Sequence, residues 1–103
     1  MRLLRAWSAA TSGRWLAANP ARGQCSVTAL AVQLLAGGEI LKTATPQGPH
    51  SYNRIEGVRH DFTTAQFDRP PAYDDLLSDA AEAMADTSSE QLAALMRALE
   101  RPA

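Results

Sequence analysis

The chain has a single cysteine, and the segment "RGQCSVTALAVQLLAGG", Arg22 to Gly38, puts it where an apolar-periodic stretch begins. A thiol at a helix N-terminus faces unpaired backbone N–H groups and the positive end of the helix dipole, which favour the thiolate. Downstream, "HSYNRIEGVRHDFT" supplies His50 and Asp61. A thiolate beside an imidazole whose far nitrogen is held by a carboxylate is suited to attack on an acyl carbon. Residue types and chain order therefore predict Cys25 as nucleophile, His50 as base and Asp61 as orienter. The Cys25 backbone N–H, with the side-chain amide of Gln24 or of Asn53, would supply donors to an oxyanion.

The same residues have plainer uses. A lone cysteine also serves as a small buried hydrophobe, and a histidine opening a strand as a surface or capping group. Zinc ligation by Cys25, His50, His60 and Asp61 lacks the close ligand pairs of zinc sites, and adjacent His60 and Asp61 point to opposite faces of a strand. No metal is expected. The acyl chemistry requires no cofactor, and none is expected.

The elements that must position these residues follow from periodicity. Val27, Leu30, Ala31 and Leu34 recur at helical spacing up to the Gly37–Gly38 stop, which makes a central helix headed by Cys25. Its face Cys25, Thr28, Ala29, Val32 is made of small residues and admits close approach by another element. "EILKT" reads as a short strand, and "TPQGP" as a loop delivering His50 to the next. "HSYNRIEGVRHDFT" reads as a hairpin turning at Glu56–Gly57. A two- or four-residue loop sets Tyr52 opposite Asp61 and puts His50, Tyr52, Arg59, Asp61 and Thr63 on one face, with His60 on the other. A three-residue loop would break that alignment. Toward the N-terminus, Leu3, Leu4 and Trp7 and then Trp15 and Leu16 fit two short helices, with Ser12 a cap between them. After the proline-bearing connector "FDRPPAYDD", Tyr73, Leu76, Leu77, Ala80 and Met84 mark one amphipathic helix. Leu92, Leu95, Met96 and Leu99 mark another, capped by Thr87 or Ser88 with Glu90 or Gln91.

At 103 residues the chain allows one domain and one modest core. No apolar run approaches a membrane span, and one cysteine cannot form an internal disulfide, which favours a reducing compartment and a cytoplasmic location. Residues 1–60 carry seven Arg/Lys against two Glu, and residues 61–103 three against nine. The arginines are scattered, so the asymmetry reads as a basic front half packed against an acidic back half, with no nucleic-acid partner. Arg2, Arg5, Arg14 and the early serines superficially look like an organellar presequence.

Taken together, "WSAATSGRW", "GQCSVTALAVQLLAGGEIL" and "HSYNRIEGVRHDFTTAQF" resemble the YunG-like family of small bacterial proteins over about Trp7 to Phe67. The resemblance implies a compact papain-like or transglutaminase-like core, with Cys25 as nucleophile, His50 as base and Asp61 as orienter. It also makes the N-terminal segment part of the fold, not a cleaved presequence. The expectation is a single α+β domain, 1–103: a central helix on a small antiparallel sheet of about three strands, with helical N- and C-termini, the latter over about 73–101. Two functions fit. One is thiol-dependent acyl transfer or hydrolysis of an amide, ester or isopeptide bond in an unknown acyl or peptide-like substrate. The other is a non-catalytic binding or assembly module that keeps the three residues as a hydrogen-bond network. The C-terminal helices could dock onto a second chain.

Overall fold

The computed structural model describes residues 3–100. Arg2 and position 101, named above, lie outside that range, as does the side chain of Leu4. The described elements are α1 (Leu3–Ala6), α2 (Cys25–Ala36), β1 (Glu39–Thr45), β2 (Gly48–Ile55), β3 (Val58–His60), a 3-10 turn (Thr64–Gln66), β4 (Leu76–Leu77), α3 (Ala80–Met84) and α4 (Ser89–Glu100). The architecture is α+β, with the strands antiparallel in the order β3-β2-β1-β4. No helix among the described residues is long and apolar enough to cross a membrane.

The central helix begins at Cys25 as its periodicity predicts. Its first two turns, Cys25 to Val32, are buried on every side. Val27 and Ala31 join Leu3, Ala6, Trp7 and Leu95 in one cluster, and Ala29 and Leu30 join Ile40 and Ala83 in another. The small-residue face lets its neighbours come close: Trp7 Nε1 donates to Thr28 Oγ1 at 2.9 Å, and Asn53 Nδ2 donates to Ala29 O at 3.0 Å.

The hairpin register is as the turn chemistry requires. Glu56 and Gly57 both have positive φ, 50° and 79°, the signature of a two-residue type I′ turn. Ile55 then pairs with Val58, Arg54 with Arg59 and Asn53 with His60. The ladder stops there, so Tyr52 has no strand partner on that side. Asp61 ends the strand because its Oδ1 accepts from the backbone N–H of Thr63 at 3.2 Å, a local turn that leads the chain off the sheet.

Two expectations need correction. Trp15 and Leu16 do not form a second N-terminal helix. Gly13 and Pro20 bracket too short a run, and residues 8–24 are turns with an isolated Leu16–Asn19 bridge; Ser12 Oγ accepts from Arg14 N within these turns. The helix expected from Tyr73 starts only at Ala80, where Asp79 Oδ1 caps Glu82 N at 2.8 Å. Leu76 and Leu77 instead form a fourth strand paired with Lys42 and Leu41. The chain cannot run helically into that segment because Asp75 holds φ 53°. In α4, Leu95 is fully buried against Leu3, Trp7 and Val27. Ser88 Oγ caps that helix at Gln91 N. Leu95→Ala is expected to cost about 3 kcal/mol and lower the melting temperature by about 10 °C or more in a thermal scan.

Acidic and basic halves meet in part through Lys42–Glu82 and Arg59–Asp75, at 2.8 and 2.7 Å.

Candidate active site

Alternation along the paired strands sorts the sheet into two faces. Ile40 and Asn53 share the face toward α2, as do Lys42 and Ser51; Leu41 and Tyr52, with Thr43 and His50, share the other. Residues 61–77 cross this second face as a strap. Thr43 Oγ1 donates to Asp74 at 2.9 Å, Tyr52 OH donates to Asp75 at 2.8 Å, and the Phe67 ring meets His50 edge-on at 4.9 Å. Burial, with Asp75 adding to it, pushes the Tyr52 phenol up to about 12, which keeps it a donor.

Cys25 and His50 therefore approach from opposite sides of the sheet. The edge of β2 beyond Asn53 is left open because β3 is short. Ile55 and Asn53 turn their N–H groups toward β3, and Ser51 is next in that series. β3 has ended by then, so the Ser51 N–H finds no partner in that strand. The Ser51 backbone N–H is among the groups that lower the Cys25 thiol against the effect of its burial. Gln24 precedes the helix without capping it through its side chain.

The carboxylate side is closely built. His50 Nε2 lies 2.7 Å from Asp61 Oδ2, with both side chains buried. Tyr73 OH donates to the same oxygen at 2.7 Å, and Thr63 N and Oγ1 donate to Oδ1 at 3.2 and 3.3 Å. With Nε2 committed to Asp61, Nδ1 is the ring nitrogen left for the thiol.

Charge follows geometry. Burial pushes the Cys25 thiol up, but the His50 side chain, the Ser51 N–H and Ser26 outweigh it and leave the thiol below its ordinary value. Burial opposes the charged imidazole as well, yet Asp61 and then Cys25 raise His50 from 6.5 to about 9. Asp61 is likewise lowered against its burial, by His50, Tyr73 and Thr63. Each of the three shifts favours the charged form of its group, thiolate, imidazolium and carboxylate.

Two depressions are lined by sequence neighbours of Cys25 and His50, though by neither residue itself. One of about 1030 Å³ reaches Gly23 and Phe67; the other, about 360 Å³, reaches Ser26, Pro49 and Ser51. Arg14 and Gln47 border both. Cys25 itself keeps 8% exposure.

A family model described as YunG protein matches residues 1–102. The chain belongs to the YunG family. One relative, described as uncharacterized protein YunG of Bacillus subtilis (strain 168), is 42% identical over 99 residues, covering 96% of this chain and 86% of the relative. No solved structure matches. The YunG match takes in the C-terminal helices as well as the stretch from Trp7 to Phe67.

Of the supporting residues, Asn53 is not brought to the thiol: its amide braces α2 at Ala29, one turn beyond Cys25. Gln24 is fully buried, with Oε1 accepting from Thr11 Oγ1 at 2.8 Å and Nε2 without a partner among the described residues. No group of three metal-ligating side chains occurs among the described residues. Tyr73 was missed as a partner of Asp61, because its spacing to Leu76, Leu77 and Ala80 is also helical. Pro70–Pro71 just before it was the signal for an extended course.

Proposed function

We propose that this YunG-family protein is a thiol-dependent acyl-transfer or hydrolytic enzyme acting on an amide, ester or isopeptide bond. The observation that carries the reading is the His50–Asp61 contact of 2.7 Å behind a thiol whose acidity His50 increases. We assign the core to the papain-like and transglutaminase-like class on the same ground: a helix-start cysteine, a strand-borne histidine and an aspartate just past the next strand.

The Cys25 thiolate attacks the carbonyl carbon, and the carbonyl π pair moves to oxygen. The Cys25 N–H, with Gln24 Nε2 as the side-chain donor, meets that oxyanion. Collapse breaks the bond to the leaving group, which takes the proton from His50 Nδ1 and departs, leaving a thioester. Neutral His50 then removes a proton from water or an acceptor amine as it attacks the thioester, and the thiolate is released. Asp61 keeps Nε2 protonated throughout and stabilises the imidazolium. A reactive free thiol fits a reducing compartment, and we place the enzyme in the cytoplasm.

The pH dependence of alkylation tests this reading. Iodoacetamide modification of Cys25 is expected to have its midpoint below the ordinary thiol value of about 8.5. A profile that rises only at that value, or a native thiol that never reacts, rejects the enzyme in favour of the binding module. Stability should follow a different curve. The raised His50 value gives stabilisation that is complete below 6.5 and lost as pH rises through about 9. The lowered Cys25 value gives stabilisation that is complete above the unfolded thiol value and lost as pH falls through the folded one. Where the His50 interval from 6.5 to about 9 overlaps the interval between the folded and unfolded thiol values, the two slopes oppose, since there the pair transfers a proton internally and binds no extra one. Melting temperature should therefore change least with pH, as far as this pair is concerned, across that overlap.

A further inference from the structure

The two depressions beside Cys25 differ in charge. Among the described residues, Lys42, Arg54 and Arg59 have carboxylate partners in Glu82, Glu39 and Asp75. Arg14, Arg22 and Arg69 have none within ion-pair distance, and all three border the larger depression, with Asp68 its one carboxylate. The smaller depression is balanced: Lys42 faces Glu82, and Asp86 accepts from Ser26 Oγ at 3.0 Å.

Arg14 is held in place by the backbone that leads to the thiol. Gly23, at φ 73°, has no side chain, and a Cβ there would stand 2.7 Å from both Arg14 Cβ and Ser12 Oγ. The bare Cα lets the Arg14 stem lie against the turn two residues before Cys25. Its guanidinium thus belongs to the margin shared by both depressions, and Arg22 and Arg69 extend the cationic lining away from the reacting atoms. Guanidinium groups present planar forks of donors that match the oxygens of a carboxylate or a phosphate.

We infer that the substrate carries an anionic oxygen group, carboxylate or phosphate, on the side of the scissile bond that lies in the depression lined by Arg14, Arg22 and Arg69. The smaller, balanced depression takes the uncharged side of the same molecule. This inference rests on Cys25 being the nucleophile.

Chloroacetamide probes of matched size test it: N-chloroacetylglutamate, N-chloroacetylglutaminamide, which is neutral, and N-chloroacetylphosphoethanolamine. In each case the thiolate forms a C–S bond to the methylene carbon and chloride leaves, so intact mass reads the rate. The full-length protein is expected to react about tenfold faster with an anionic probe than with the neutral one, and the ratio should fall between about 50 mM and 500 mM salt. Imidazolium alone favours anions, so the deciding quantity is the change in that ratio on substitution. Arg14→Gln, Arg22→Gln and Arg69→Gln should each lower it about three- to fivefold. Arg22 and Arg69 are exposed and keep the test valid should Arg14→Gln disturb the Gly23 turn. A higher rate for the phosphate probe than for the carboxylate assigns a phosphoryl-bearing substrate, and the reverse a carboxylate. Labelling by all probes with a ratio near one, or a ratio that no arginine substitution changes, overturns the inference and leaves the nucleophile standing. Labelling by none overturns the nucleophile first and the inference with it.

Discussion

Cys25→Ala and His50→Ala should each reduce acyl-probe labelling and turnover by about 10³-fold or more, and the double variant should lose no more than either alone. Nucleophile and base act as one unit, so removing either removes the step. The fold should survive the first change, because Cys25→Ala deletes one buried sulfur atom from a helix held by Val27, Leu30 and Ala31. Cys25→Ser, nearly isosteric, should melt close to the parent and remain unlabelled. His50→Ala leaves Asp61 with Tyr73 and Thr63 still donating to it, so the carboxylate stays satisfied on most sides. The binding-module reading expects another pattern: an unlabelled parent, and variants whose only defect is a lower melting temperature. Measuring labelling and thermal melts on the parent and these four variants separates the two.

The parts of this arrangement that were legible in the sequence are those fixed by local chemistry. Glu56–Gly57 admits the positive φ values of a two-residue turn, which fixed the register and hence the side of the sheet on which His50 and Asp61 meet. Gly37–Gly38 and the Val27, Leu30, Ala31 spacing marked the central helix, and its first residue is the cysteine. What sequence did not disclose depends on partners distant in the chain. Leu76 and Leu77 become a strand only because β1 offers them an edge, and their spacing to Tyr73 and Ala80 satisfies a helical period equally well. The Asp79-x-x-Glu82 cap was the local sign of the true helix start. The open sheet edge at Ser51 likewise depends on β3 stopping at His60. Asp61 has two tasks there, turning the chain through Thr63 N and holding His50, and only the second was read from the sequence.

That double task makes Asp61→Asn the most informative change outside the nucleophile and base. Oδ1 accepts from Thr63 N and Oδ2 accepts from Tyr73 OH and faces His50 Nε2, so a carboxylate meets donors at both oxygens. An amide must place its own N–H₂ at one of them. With the amide nitrogen toward Thr63, the backbone N–H there loses its acceptor; with it toward His50, the imidazole is forced into the opposite tautomer and Tyr73 loses its acceptor. Either choice strands a buried donor at about 1–3 kcal/mol, visible as a lower melting temperature. The reactivity loss is larger. Asp61 is the strongest influence raising His50 to about 9, and without its charge the imidazolium is less favoured and stabilises the thiolate less. A hydrogen bond to a charged group contributes about 1.5–3 kcal/mol, so alkylation of Cys25 at pH 7 should slow by roughly 10- to 100-fold, with the midpoint of the profile moving toward the free-thiol value. Tyr73→Phe provides the contrast. It removes one donor from Asp61 and leaves the negative charge, so Asp61 becomes a stronger acceptor for His50 and the alkylation midpoint should not move upward. If Asp61→Asn leaves the alkylation profile in place while lowering the melting temperature, Asp61 is a structural turn residue and His50 must raise thiol acidity without it.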